Sequence, residues 1–242
     1  MKILYLTFFF EPDLGAGSFR NTSLVKELSY QINDTDTIDV ITTFPNRYST
    51  YEVESSPYEE RGNIKIYRIK VPSHRNGFLD QINSFKTYFL KTKKIVKKRN
   101  YDMVFVSSSR FFSAYLGYSI ARQYKIPLYI DMRDIFIESL DNALKIPFAK
   151  QLVIPCLRFI EKRIFNYATH VNLISGGFLP YFKKFKCRSY STYTHGIDDM
   201  FLDVSSHNKE PNNDRKIILY AGNIGKCQSL EKVIPPAAKL LG

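Results

Sequence analysis

Short apolar runs recur along the chain, and longer amphipathic stretches separate them. The runs are rich in Ile, Val, Tyr and Phe, which favour strands, and they lie at 2–9, 38–44, 64–71, 102–108, 127–132 and 170–175. Several are apolar nearly throughout, which is typical of parallel strands covered by helices on both faces. Helices are predicted at 18–30, 79–99, 110–124 and 148–167. This alternation predicts an α/β fold with a Rossmann-like, doubly wound parallel sheet.

The segment 203–215 interrupts this pattern. It is polar and contains Pro, Ser and Asn where a core segment would have apolar residues, so we interpret it as a linker. A strand-like run, a glycine turn and a helical run follow it within 216–242. A single βα unit cannot bury its own apolar face. We therefore expect a Rossmann-like domain over 1–202, a linker over 203–215 and the start of a truncated second Rossmann-like domain over 216–242.

The chain is strongly basic. Its 242 residues include 35 Lys and Arg against 23 Asp and Glu, a net charge of +12. Such an excess favours an anionic partner: nucleic acid, lipid headgroups or a phosphorylated substrate. The three cysteines are far apart and show no metal-ligand spacing, which favours a reduced compartment. No apolar stretch approaches the roughly 20 residues of a membrane span, and the N-terminus lacks a signal-peptide cleavage pattern.

The stretch FFFEPDLGAGSFRN at 8–21 follows the first strand and opens a helix. Gly15 and Gly17 can bring backbone N–H groups close to an oxyanion, and the helix N-terminus would favour a phosphate there. The dinucleotide fingerprint requires a third glycine where this chain has Arg20. An arginine suits a charged ligand, but an ordinary strand-to-helix turn explains the motif equally well.

A second glycine turn lies in YAGNIGKCQSLEK at 220–232. Gly222 and Gly225 follow a predicted strand, and Lys226 adds a positive charge before the next helix. This turn is also weak evidence when taken alone. Two such turns, each after the first strand of its own α/β unit, indicate two facing domains with a phosphorylated ligand between them.

Four charged residues lie at or just beyond the end of the strand at 127–132: Asp131, Arg133, Asp134 and Glu138. Ligands of open α/β sheets bind outside the carboxyl ends of the strands. The cluster is therefore either an ion pair that organises a loop or a site where a carboxylate orients or deprotonates a hydroxyl-bearing substrate. His195 follows the strand-like run YSTYT, and either faces the same crevice or serves as a hydrogen-bonded turn residue.

The stretch 85–99 contains seven basic residues and no acidic one. One helical face carries its mostly apolar side chains: Phe85, Tyr88, Phe89, Thr92, Ile95 and Val96. Either this helix lies on an anionic membrane surface, or the apolar stripe packs on the sheet and the lysines are merely solvated. The helix at 148–167 is expected to break or kink at Pro155.

These stretches together resemble the retaining glycosyltransferases of family 4, which have the two-Rossmann GT-B architecture, and in particular the bacterial O-antigen and capsule transferases. The resemblance is carried by EPDLGAGSFR, DMRDIFIES, NLISGGF, THGID and LYAGNIGKCQSLEKVI. It implies transfer of a sugar, hexosyl or N-acetylhexosaminyl, from a UDP-linked nucleotide-sugar donor to a lipid-linked or glycan acceptor. Beyond this nucleotide-sugar substrate, the resemblance implies no cofactor and no metal. The first domain would bind the acceptor and the second the nucleotide.

The resemblance also implies residue roles. Arg133 and Asp134 would act at the reacting sugar. The donor phosphates would contact Gly15, Gly17, Arg20, Gly222, Asn223, Gly225 and Lys226. The acceptor cleft would include Asp131, Glu138 and His195. The paired glutamates that hold the donor sugar in this family have no matching counterpart here, so we expect this chain to be inactive alone.

The same resemblance places the protein in bacterial surface polysaccharide synthesis, in the cytoplasm and peripherally at the inner face of the cell membrane, with the basic helix 85–99 on anionic lipid. Two alternatives remain open. A Rossmann oxidoreductase that uses a nicotinamide cofactor is disfavoured, because Arg20 replaces the third glycine and residues 40–43 are VITT, without the acidic residue that would bind ribose. A non-catalytic module for anionic lipid or nucleic acid fits the charge, but no nucleic-acid recognition motif is present, and we expect no nucleic-acid partner.

Overall fold

The computed structural model describes residues 1–47, 53–72, 78–108, 111–143, 147–196, 219–222 and 229–241. The chain divides into two compact units, Met1–Gly196 and Ile197–Gly242. The predicted linker 203–215 and most of the predicted strand at 216–223 lie outside the described residues, so the predicted domain boundaries remain predictions.

The first unit is built on one eight-stranded sheet. Its strands are β1 (Lys2–Leu6), β2 (Thr37–Thr43), β3 (Tyr58–Arg61), β4 (Ile64–Ile69), β5 (Met103–Ser108), β6 (Leu128–Met132), β7 (His170–Leu173) and β8 (Tyr190–Thr192). They lie in the order β3-β4-β2-β1-β5-β6-β7-β8. The β3–β4 pair is antiparallel, and the other pairs are parallel. The fold is therefore α/β and Rossmann-like, as the sequence predicted.

The helices of this unit are α1 (Ala16–Gln31), α2 (Phe78–Val96), α3 (Phe111–Tyr124), α4 (Phe136–Ala143), α5 (Pro147–Tyr167) and α6 (Leu179–Phe182). Strand β3 and helices α4 and α6 were not predicted from the sequence. Helix α5 runs through Pro155 without a break, and the alternative expectation of a kink there stays a prediction. Apolar side chains on both sides of the proline, including Ile154 and Ile164, are buried in the core and hold the helix together despite the missing hydrogen bond.

Helices cover the two faces of the sheet unequally. On one face, α1 packs through Val25 on a cluster that includes Tyr5 and Val40. On the other face, α2, α3 and α5 cover a larger cluster. Right-handed crossovers produce this division, because the chain moves one way from β1 to β2 and the other way from β5 to β7. The carboxyl ends of β1, β5, β6 and β7 are left at one shared edge.

The face of α2 that carries the mostly apolar side chains lies against the core. Tyr88 and Thr92 are fully buried, and Phe85 and Val96 are nearly so. Packing of this face on the sheet is thus observed, with Phe89 and Ile95 only partly buried, whereas contact of the lysines with a membrane stays a prediction.

Tyr88 also ties α2 to two strands, because its Oη donates to the carbonyl oxygens of Ile41 at 2.7 Å and Thr7 at 3.1 Å. We expect Tyr88→Phe to lower the free energy of unfolding by about 1 kcal/mol, since the hydrogen bond is lost while the shape is kept. Urea unfolding measures this loss. Tyr30→Phe, at a side chain that is 68% exposed, is the matched control and should change stability little. Equal effects of the two substitutions would contradict the role of the buried hydroxyl.

In the second unit, the described residues 219–222 precede α7 (Leu230–Leu241), most of whose side chains are exposed. Among the described helices of both units, none combines the length and the hydropathy needed to cross a membrane.

Candidate functional site

Two rows of side chains cross the sheet on the face that α1 covers. The first is a row of stacked rings on neighbouring strands, 4.6 Å apart between centroids: Tyr5, Phe105, Tyr129 and His170. Residues two positions further along a strand point to the same face. There the strands carry a second row, which we call the polar row: Ser107, Asp131, Asn172 and Ser191. The polar row lies at the carboxyl-end edge, where ligands bind in open α/β sheets.

Asp131 is the centre of the polar row, and its side chain is almost completely buried. The guanidinium of Arg20 donates from Nε and Nη2 to the two carboxylate oxygens, each at 3.0 Å. The amide of Asn172 donates to Oδ1 at 2.6 Å. Burial alone would raise the pKa of Asp131, but these donors outweigh it and lower the pKa, so the carboxylate remains ionised. The remaining Nη1 of Arg20 donates to the carbonyl oxygen of Thr194 at 3.0 Å.

Arg133 provides a second buried guanidinium at this edge. Its Nη2 donates to Oδ1 of Asn21 at 2.8 Å and to Oγ of Ser107. Its Nε lies 3.7 Å from Oδ2 of Asp131 and has no hydrogen-bond partner among the described residues. Burial lowers the pKa of Arg133, and the charge of Asp131 opposes this effect. The site therefore holds one arginine fully engaged by a carboxylate and one that is not.

The first turn of α1 lies against Arg133. Gly15 precedes the helix with φ +138°, a conformation that only glycine adopts readily, and no side chain caps the helix. A Cβ on Gly17 would lie 3.1 Å from Nη1 of Arg133, so the missing side chain provides the space for the guanidinium. The buried hydroxyl of Ser18, in the same turn, has no partner among the described residues. A helix N-terminus and a guanidinium in contact are suited to an anion.

The remaining predicted site residues of the first unit, Asp134, His195 and Glu138, do not belong to the polar row. Asp134 is exposed, and loss of part of its hydration raises the pKa of its carboxyl. His195 is exposed, and its pKa is lowered by partial loss of hydration and then by the positive charges of Arg20 and Arg133, so its imidazole is neutral at pH 7. Glu138 lies in the first turn of α4, where its charge acts on Glu161 and Tyr181. The polar row does not include Glu138.

The second glycine turn is described only in part. Gly222 lies in the second unit and is exposed, while Asn223, Gly225 and Lys226 lie outside the described residues. Their predicted role at the donor phosphates therefore remains a prediction.

Four residues of the site were not predicted. Asn21 and Ser107 accept hydrogen bonds from Arg133, Thr194 accepts one from Arg20, and Asn172 donates one to Asp131. A signal for two of them was present. Ser107 and Asn172 are polar residues near the ends of otherwise apolar strands, at the level of Asp131. Within the described part of the chain, no group of three or more His, Cys, Asp or Glu side chains is arranged to hold a metal ion.

Comparisons with known proteins identify the architecture. No family model matches the sequence, and no curated protein matches it. Solved structures do match. A form of sucrose-phosphate synthase from Thermosynechococcus elongatus superposes with a TM-score of 0.52 and 12% identity, covering 84% of this chain and 93% of that one. A second structure of this synthase gives a TM-score of 0.53 and 12% identity, covering 81% and 48%, so this chain spans about half of that protein's length.

The fold is the Rossmann-like α/β fold of GT-B glycosyltransferases. At 12% identity the likeness concerns the fold alone. Anabaena HepE in complex with UDP-glucose also matches, with a TM-score of 0.48 and 16% identity over 82% of this chain and 44% of that one, and the assignment of the fold does not depend on it.

Proposed function

We propose that this chain is the acceptor-side part of a retaining glycosyltransferase that uses a nucleotide-sugar donor, UDP-linked, with a hexosyl or N-acetylhexosaminyl group. One observation carries the proposal: Arg133 lies buried against the uncapped first turn of α1, with its Nε unpartnered, at the carboxyl-end edge of a GT-B-type sheet. In sugar transfer from such a donor the leaving group is a nucleoside diphosphate. Preorganised donors at that developing charge supply much of the catalysis.

Each residue of the site then has a defined task. Arg133 and the first turn of α1, including Gly15 and Gly17, stabilise the diphosphate. Arg20 supports the site through Asp131, because its guanidinium already donates to that carboxylate and to Thr194. Asp134 is exposed beside Arg133, and its raised pKa suits a carboxylate that orients the acceptor hydroxyl.

We propose that Gly222, Asn223, Gly225 and Lys226 contact the donor phosphates, and that His195 lines the acceptor cleft together with Glu138. We also propose that this chain alone binds diphosphate weakly and does not complete transfer.

The acceptor is proposed to be lipid-linked or a glycan of bacterial surface polysaccharide synthesis, with the protein peripheral at the cytoplasmic face of the cell membrane. The exposed lysines of α2 support this placement, among them Lys86, Lys91 and Lys94. These ammonium groups would attract anionic headgroups electrostatically.

The diphosphate site is tested by titrating the chain with UDP while its backbone amides are followed by NMR. We expect UDP to shift the amides of residues 16–18 with a dissociation constant of about 1 mM, and uridine to leave them unchanged. Arg133→Met should weaken UDP binding about tenfold, because a charge-assisted donor is lost.

Arg122→Met is the matched control, since it removes the same charge from an exposed side chain at the far end of α3. Equal shifts with UDP and uridine, or equal weakening by the two substitutions, would overturn the assignment of Arg133 to the donor phosphates.

A further inference from the structure

An apolar groove of about 510 Å³ lies between α2, α3, α4 and α5. Six of its lining side chains are Phe85, Phe89, Leu90, Phe112, Tyr115 and Phe136. Two of them face water in the described structure: Leu90 is 57% exposed and Tyr115 37%. Among the described lining residues, Lys86 alone is charged. Apolar surface of this kind, open to water and concave, is typical of a binding site.

The groove reaches the edge of the sheet at which the candidate site lies. Phe111 begins α3 directly beyond β5, the strand that contributes Ser107 to the polar row. Phe136 begins α4 three residues after Arg133. The polar row lies on one face of the sheet and the groove on the other, and both reach the carboxyl ends of β5 and β6.

Lys86 lines the groove, and further lysines follow it along α2. The exposed basic side chains of this helix and its C-terminal end are Lys86, Lys91, Lys94, Lys97 and Lys98. Across the described residues, none of these five ammonium groups forms an ion pair with a carboxylate. Lys91 donates instead to the carbonyl oxygen of Lys70 at 3.1 Å, so Lys86 is the ammonium group at the groove. An apolar groove with an ammonium group at its rim complements a molecule with a hydrocarbon chain and an anionic head.

We propose that this groove binds the hydrocarbon chain of a phosphate-bearing membrane lipid, with Lys86 at the rim contacting the phosphate. The inference deepens the proposed function, because such a lipid would present an attached acceptor at the edge where Arg133 lies. Binding of the lipid does not itself require sugar transfer or UDP.

The first experiment uses decyl phosphate as a soluble probe and inorganic phosphate as its headgroup control, with binding measured by calorimetry. Decyl phosphate should bind at least about tenfold more tightly than inorganic phosphate. Leu90→Glu should abolish that advantage. Tyr30→Glu is the matched control, because it adds the same charge at an exposed apolar side chain on α1, and should retain the advantage. Lys86→Gln should weaken binding of decyl phosphate several-fold.

The second experiment places the chain with vesicles of phosphatidylcholine, with or without phosphatidylglycerol, at low and high salt. The lysines predict attraction to the anionic vesicles that falls with salt. If the groove binds lipid, part of the vesicle binding should persist at high salt. This part should be lost in Leu90→Glu and kept in Tyr30→Glu.

Three results would overturn the groove proposal: decyl phosphate binding no better than inorganic phosphate, Leu90→Glu and Tyr30→Glu behaving alike, or a dimer in sedimentation that Leu90→Glu dissociates. The last would identify a second copy of the chain as the occupant. Each of these leaves the UDP titration unaffected, so failure of the lipid site and failure of the diphosphate site are distinguishable.

Discussion

Asp131→Ala is expected to lower the free energy of unfolding by about 3–5 kcal/mol, as urea unfolding would measure it. The carboxylate is the counter-charge of Arg20, whose side chain is 14% exposed, and it lies beside Arg133, whose side chain is 8% exposed. Its removal leaves one guanidinium without both of its strongest acceptors and the other without the nearest negative charge. The amide of Asn172 would also lose an acceptor. An unpaired buried charge is among the most destabilising changes in a protein.

The pH dependence provides an independent test of this prediction. Since the folded-state pKa of Asp131 is lowered, the carboxylate contributes stability above its unfolded pKa of about 3.9, and this contribution is lost as pH falls through the folded-state value. The difference in the free energy of unfolding between the wild type and Asp131→Asn should therefore be largest near neutral pH and become smaller below about pH 4.

Asp134→Asn is the matched control, because this neighbouring carboxylate is exposed, and its effect should stay within about 0.5 kcal/mol. A small effect of Asp131→Ala, or one equal to that of Asp134→Asn, would mean that the arginines do not depend on the buried carboxylate.

Gly117→Ala is expected to lower the free energy of unfolding by about 2 kcal/mol, although alanine favours a helix over glycine by about 1 kcal/mol. Gly117 lies in the middle of α3, where an added Cβ would come within 2.1 Å of Cγ2 of Val106 on β5. Val106 is fully buried, so neither the strand nor the helix can move aside at little cost. Urea unfolding of the variant measures the loss.

A double-mutant cycle with Val106→Ala separates the overlap from other effects. Val106→Ala removes the atom that the new methyl group would meet, and alone it costs stability through the cavity it leaves. The double variant should be more stable than the sum of the two single effects by at least about 1 kcal/mol. Strict additivity would show that α3 and β5 are not in the close contact described here.

The pairing of Asp131 with Arg20 leaves Arg133 as the arginine with free donor capacity. Holding two guanidinium groups close together at a sheet edge is unfavourable, and the carboxylate between them offsets this repulsion. An arriving diphosphate would supply the remaining negative charge. The two arginines carry one more positive charge than Asp131 balances, so the site is suited to an anionic ligand.

Local patterns in the sequence were sufficient to predict the α/β architecture. Strand period, apolar composition and intervening helices predicted the parallel sheet, because burial on both faces imposes those patterns on each segment separately. The buried stripe of α2 was visible for the same reason. Strand β3 was missed because its residues, YEER, are largely exposed and polar and form an edge. Short helices such as α4 offer too few turns for a periodic signal.

The sequence by itself determined that charged residues would follow β6, since Asp131 and Arg133 adjoin an apolar strand. Only the tertiary structure decided which of them would meet. Arg20 and Asp131 are 111 residues apart, and Arg133 and Asn21 are 112 residues apart. Strand order brings α1 over β6. The groove likewise exists only where four helices converge. Sequence patterns specify what each segment must bury, whereas non-local contacts depend on how the segments are ordered in space.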